Sequence, residues 1–257
     1  MQRKLMACAL LATVCQTQQA SAEEVRVTPY RPTVTNSAGL SAPGWLELET
    51  GVARQNGKDG SYRNSMPYLA KLAFTPDFGV LLGGEAAVSE VAADKTRASG
   101  GGDTLLQLKH RFLLDADSNM SLGCEYGFKS PTAANGLGSG KTDYVVNGIF
   151  SKDIRGHSLD INLNATRLGD ALAGESAYLY GLSGTVFRPL DDKWGVMAEV
   201  SGVMRKGTTA QSQVLAAVSY EWSNRLVLDA GLSAGISSAA HRVAVFAGMS
   251  MLLGQVR

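Results

Sequence analysis

Between residues 158 and 166 the chain reads S-L-D-I-N-L-N-A-T. Leu159, Ile161, Leu163 and Ala165 alternate without a break with Ser158, Asp160, Asn162, Asn164 and Thr166. In an extended strand a period of two puts the apolar side chains on one face and the polar ones on the other. The polar face here carries a carboxylate and two amides, which suits water better than a sandwich core. The same alternation recurs at 45–54, 66–75, 78–88, 103–112, 120–129, 142–151, 177–188, 194–205, 213–222, 226–234 and, more weakly, 242–253. The pattern predicts twelve strands.

The connections between these segments carry separate information. Counted from the first, the odd ones are mostly long (55–65, 89–102, 130–141, 168–176, 206–212). The even ones are short (76–77, 153–157, 189–193, 223–225), with 113–119 between the two classes. Short turns at one end, longer loops at the other and an even strand count are the signature of an outer-membrane barrel. A soluble all-β domain gives no reason for that alternation. Trp45, Tyr68, Phe74, Phe112, Phe128, Tyr144, Phe150, Tyr178, Trp194, Tyr220 and Trp222 fall mostly on the apolar faces, many near strand ends. Amphipathic rings at headgroup level would have that distribution, whereas core packing would favour strand middles.

Physical constraints favour the same architecture. A sheet in lipid must satisfy every backbone N–H and C=O internally, so it closes on itself. Strands of about 9–11 residues, tilted, cross the apolar layer. The predicted fold is therefore an all-β transmembrane antiparallel barrel of about twelve strands, over 44–257. The polar faces then line its lumen with Glu47, Glu49, Lys71, Glu85, Lys109, Arg111, Glu125, Lys129, Asp143, Asp160, Glu199, Arg205 and Asp229. Both signs occur, so opposite charges can pair in a wet interior.

The chain start fits export. Arg3 and Lys4 precede an apolar run from Leu5 to Val14, and Ala20-Ser21-Ala22 is an A-x-A cleavage pattern, so 1–22 reads as a cleaved signal peptide. The run is too short for a membrane-spanning helix. Pro29, Pro32 and Pro43 among Ser, Thr, Asn and Gly make 23–43 an irregular periplasmic lead-in. Loss of the signal removes two basic residues and no acid from a chain of 24 basic and 23 acidic residues, so the formal charge passes from +1 to −1. No polybasic surface argues for nucleic acid. Of the three cysteines only Cys124 remains, so there is no internal disulfide. The expected location is the outer membrane of a Gram-negative bacterium. The expected partners are outer-membrane lipid, a small-molecule solute and, during biogenesis, the barrel-assembly machinery. Oligomeric state is not legible from these patterns.

Two chemical signals are weaker than they look. Asn135 to Thr142 reads N-G-L-G-S-G-K-T, one residue from a phosphate-binding loop, but a strand rather than a helix follows it. A flexible extracellular loop is the better reading. His110, His157 and His241 have no metal-ligand spacing. A rim-sited lipid-active enzyme would use His241 with a nearby serine, since triads are defined in space. Solvated histidines are the simpler expectation, with no catalytic, cofactor or metal site and no enzyme activity.

Several stretches, taken together, resemble a proteobacterial outer-membrane β-barrel transporter family, that of the MetA-pathway of phenol degradation. They are M-P-Y-L-A-K-L-A-F-T-P-D-F-G-V-L-L-G-G-E (66–85), G-G-G-D-T-L-L-Q-L-K-H-R-F (100–112), K-S-P-T (129–132), G-L-G-S-G-K-T-D-Y (136–144), W-G-V-M-A-E-V-S-G (194–202) and R-L-V-L-D-A-G (225–231). The resemblance covers roughly 41–254. It implies a channel or facilitator for small solutes, aromatic or hydrophobic compounds among them, and transfers no catalytic residue. The alternatives are the rim enzyme and a structural or sensing barrel without transport. The sequence ends Leu253-Gly254-Gln255-Val256-Arg257, without the terminal aromatic that assembly machinery commonly reads, so periodicity leaves the last strand's register open.

Overall fold

The computed structural model describes residues 24–171 and 173–256; the signal-peptide expectation lies outside them. Thirteen strands follow in order: β1 (Trp45–Asn56), β2 (Tyr62–Thr75), β3 (Phe78–Val91), β4 (Arg97–Gly100), β5 (Thr104–Asp115), β6 (Met120–Ser130), β7 (Asp143–Ile154), β8 (His157–Arg167), β9 (Tyr178–Pro189), β10 (Trp194–Arg205), β11 (Gln211–Ser223), β12 (Leu226–Gly235) and β13 (Val243–Gln255). Every pairing is antiparallel, and the sheet closes where β1 meets β13, from Trp45 opposite Gln255 to Asn56 opposite Val243. The last of these strands thereby has a defined register.

The barrel has twelve positions around its wall because β4 and β5 share one. β3 pairs with β5 from Phe78 to Gly84, then with β4 from Val88 to Val91. Between them Gly102 N–H donates to the Glu85 carbonyl at 2.9 Å. The 89–102 connection is therefore not a simple loop, as the hydrophobic pattern suggests, but a strand extension and a short hairpin. β2 likewise begins at Tyr62, four residues before its apolar alternation starts. These extensions lack an apolar face, so hydrophobic period cannot reveal them.

The packing is inverted relative to a soluble protein. The largest fully buried side chains are Lys71, Lys109, Glu47, Glu49 and Glu125, while Leu163 and Trp222 are each 65% exposed. In a single closed wall a buried side chain must point inward, so charge lies inside and hydrocarbon outside. In lipid each inward charge would cost several kcal/mol near the midplane, and this cost fixes the strand phase. Outward aromatics cluster by end. Phe74, Phe78, His110 and Phe112 form a chain of ring contacts at the short-turn end, as do Trp194, Tyr220 and Trp222. Tyr144 and Tyr178 lie beside the longer loops. No helix among the described residues is long and apolar enough to cross a membrane.

Candidate functional site

The lumen is not empty. Residues 24–43 form no strand, and they run among the inward side chains rather than standing apart in the periplasm, which corrects the lead-in expectation. The physical reason lies in hydrogen-bond supply and demand. Prolines keep this stretch out of the sheet, so its N–H groups need acceptors. The inner wall carries more carboxylates than cations and provides them. Thr28 N–H donates to Glu47 Oε2 (3.1 Å), Tyr30 N–H to Glu49 Oε1 (2.7 Å) and Arg31 N–H to Glu49 Oε2 (2.9 Å). Farther on, Thr35 gives both its N–H and its hydroxyl to Glu199 Oε2, each at 2.9 Å. Asn36 N–H donates to Asn162 Oδ1 (2.8 Å), and Ala38 N–H to Ser151 Oγ (2.8 Å).

Side chains complete the anchoring. The Arg31 guanidinium makes a two-pronged bond to Asp229, at 3.1 and 3.0 Å. It lies against two glycines paired across the β1–β13 seam, Gly51 and Gly248. A Cβ on either would collide with the guanidinium and with the facing backbone, so both the side chain and the close seam need glycine here. Lys71 Nζ contacts Glu47 and Glu49, both at 2.5 Å, and also donates to the Thr28 carbonyl. Lys109 Nζ bonds Glu125 at 2.8 Å and the Ser37 carbonyl at 2.6 Å. The two ammonium groups sit 3.9 and 4.0 Å from the centroid of the Tyr30 ring, close enough for cation–π attraction. The Tyr30 hydroxyl donates to the Gly39 carbonyl at 2.7 Å.

The structure therefore brings Glu47, Glu49, Lys71, Lys109, Glu125, Asp160, Glu199 and Asp229 together around one segment, with Asp160 held through Ser151. It sets the other five apart. Glu85 pairs with Arg63 at 2.5 Å, and Arg205 with Glu175 at 2.8 Å. Lys129 sits between Asp103 (2.8 Å) and Asp143 (2.9 Å) at the longer-loop end. At the opposite rim Arg111 bonds Asp77 at 2.8 Å. Tyr30, Arg31, Thr35 and Asn36 have no place in a list of ionised strand residues. An inner wall with surplus acids, preceded by a proline-rich stretch, is the signal that could have found them.

The Asp103–Lys129–Asp143 clasp joins loop to wall, since Asp103 Oδ1 also accepts Ala133 N–H at 3.0 Å. Burial raises the Asp103 carboxyl, but the bonds from Lys129 and the backbone outweigh it and hold the group below its ordinary value of 3.8. A carboxyl whose folded value is depressed adds stability above its unfolded value, and this is lost as pH falls through the folded value. Exchange of the Ala133 amide hydrogen, corrected for intrinsic rate, should accelerate only at a pH below that at which an ordinary aspartate titrates. In Asp103→Ala, which has no acceptor, it should be fast throughout. Acceleration already between pH 5 and 4 would contradict this assignment.

Ser233 Oγ lies 2.9 Å from His241 Nε2, the contact a rim hydrolase would need. Ser233 is 4% exposed, and among the described residues no carboxylate is hydrogen-bonded to His241. Burial lowers the imidazole's pKa, the hydrogen bond with Ser233 partly opposes this and nearby Lys58 adds to the lowering. The pair lacks the third group that orients a catalytic histidine. Residues 135–142 form a loop with Gly136 and Gly140 at positive φ, and strand β7 rather than a helix follows. Nothing there builds a phosphate cradle on a helix N-terminus.

No family model matches this chain, and no curated protein matches it. Solved structures do share its fold. The COG4313 outer membrane channel from Pseudomonas putida F1 superposes with a TM-score of 0.67 at 11% identity, over 86% of this chain and 100% of that one. The KdgM porin, solved with disordered oligogalacturonate, gives 0.55 at 12% identity over 81% and 99%. The CymD monoaromatic hydrocarbon channel gives 0.50 at 9% identity over 84% and 90%. At such identities the likeness is one of fold: this chain has the closed antiparallel architecture of outer-membrane barrel channels.

Proposed function

We propose that this protein is an outer-membrane channel or facilitator for small solutes, its path narrowed by its own N-terminal segment. The observation that carries this reading is the thinness of the obstruction. One cavity of about 480 Å³ opens at the longer-loop end and another of about 410 Å³ at the short-turn end. Within the N-terminal segment residues 33–37 face both, with Val34 and Asn36 lining the first and Thr33, Thr35 and Ser37 the second. A single irregular stretch of chain thus stands between two vestibules.

The inward ionised residues line this path, with acids and bases paired, so a strong preference between small anions and cations is not expected. Export through the signal at 1–22 and insertion by the barrel-assembly machinery belong to the same reading. An aromatic or hydrophobic cargo is its narrower form. What supports it is the resemblance of the quoted motifs, a fold shared with CymD and the inward apolar groups Leu105, Val145 and Val203.

The test is planar-bilayer recording from protein whose heat-modifiable gel migration shows a folded barrel. Discrete conductance steps, and swelling of liposomes in small neutral solutes, are the expected results. A folded barrel that leaves both bilayer and liposome sealed would remove the channel reading. Release of fatty acid from phospholipid, lost in His241→Ala, would favour the rim enzyme instead.

A further inference from the structure

The vestibule at the longer-loop end has a wall of unusual chemistry. Gln55, Gln107, Asn147, Asn162, Asn164 and Gln213 project amides into it from β1, β5, β7, β8 and β11, and Asn36 adds one from the segment below. Hydroxyls of Ser183 and Ser201 join them. Its one carboxylate, Glu125, is already engaged by Lys109 (2.8 Å), Asn36 (2.9 and 3.1 Å) and Asn147 (3.1 Å). No lysine or arginine lines it. Lys129 and Arg205, at the mouth, lie outside it and are paired with acids.

Two further details point to a ligand. Gln107 is only 8% exposed, yet among the described residues its side chain makes no hydrogen bond. It faces the cavity with both donor and acceptor unused, a cost a buried amide bears only where water or a ligand meets it. Beside it Leu105 and Val145 present an apolar strip on the same wall. Inward Gly181 lets Asn164, its cross-strand neighbour, approach closely, since a Cβ there would meet the Asn164 Cβ at 3.2 Å.

From this geometry we infer that the vestibule is a binding site for a neutral, polyhydroxylated solute of about one or two pyranose rings. Amides donate and accept, so they match hydroxyl groups that do the same. The apolar strip matches the C–H face of a pyranose. The volume lies within the usual range of small-molecule pockets, roughly 300–1,000 Å³. An anion finds no lysine or arginine in the wall, and a plain hydrocarbon would leave the Gln107 amide without a partner. This inference deepens the channel reading and rests on it for its biological sense, but the site can be tested without transport.

The experiment is saturation-transfer NMR on the full-length folded protein in detergent, with methyl glucoside, glucuronate and phenol as probes. Transfer should be strong to methyl glucoside and weaker to glucuronate. Gln107→Leu should weaken the glucoside about fivefold, the effect of losing one neutral hydrogen bond. Should Gln107→Leu fail to fold, Asn164→Leu reads the same wall and carries the same expectation. Transfer to phenol with none to the glucoside would overturn the inference, as would glucoside transfer undiminished in a folded variant. Glucoside binding in a protein that leaves liposomes sealed would uphold the site and remove the channel. Liposome swelling without glucoside transfer would do the reverse.

Discussion

A chain lacking residues 24–41 should fold as a barrel and pass several-fold more current per channel than the full protein. Current through a pore is limited by its narrowest section, and here that section is filled by residues 33–37. Removal joins the two vestibules into one lumen, and water replaces the segment's N–H groups at Glu47, Glu49 and Glu199. The lumen then holds the acids Glu47, Glu49, Glu125, Asp160, Glu199 and Asp229 with only Lys71 and Lys109 among them, because Arg31 has gone. Selectivity should therefore shift toward cations. Arg31→Ala should show part of the same effect with no deletion, since it removes the two-pronged anchor to Asp229 and one cation of the lumen. An unchanged conductance in both proteins would show that solutes do not pass through this lumen.

The second large effect is expected at Lys71. Lys71→Met leaves Glu47 and Glu49, each 2.5 Å from Nζ, without a shared cation, and leaves the Thr28 carbonyl without a donor. Breaking a buried ion pair from one side costs about 3–5 kcal/mol where the other charge stays buried. Water reaching the cluster from the short-turn vestibule would bring the cost toward the lower figure. The variant should unfold at a clearly lower temperature in the gel-shift assay. Lys71→Met combined with Glu49→Gln should recover part of the loss, because one of the two orphaned charges is then gone. A melting temperature equal to the parent's would mean that the cluster is already hydrated and contributes little.

How much of this was legible depends on what holds each part in place. Segment 194–205 matches β10 residue for residue, because inward Glu199 and outward Val200 experience opposite solvents and leave the phase no freedom. Arg63 and Glu90, by contrast, pair at 2.5 Å in extensions of β2 and β3 that no apolar band marks. Polar residues there read as loop. The lead-in illustrates a different gap. Its prolines correctly exclude a strand, but location depends on partners distant in sequence, such as Asp229 for Arg31 and Glu199 for Thr35. No local pattern reports them. The amide wall escaped for a simpler reason: alternation identifies inward positions, and charge alone then singles out a subset. Gln107, Asn147 and Asn162 are inward by the same alternation and carry no charge.

The threading of residues 24–43 has a consequence for the order of assembly. Arg31 meets Asp229 across 198 positions of sequence, and Thr35 meets Glu199 across 164. Contacts so distant form late, since the loop they close costs entropy before they repay it. The seam that shuts the barrel joins β1, directly after the segment, to β13, the last strand of all. The beginning of the described chain thus cannot settle until its end has been made, so its contacts are completed as the seam closes or after it. An irregular stretch seated in the lumen at that stage acts as a clasp, tying acids of β1, β6 and β10 to one axis once the wall has shut.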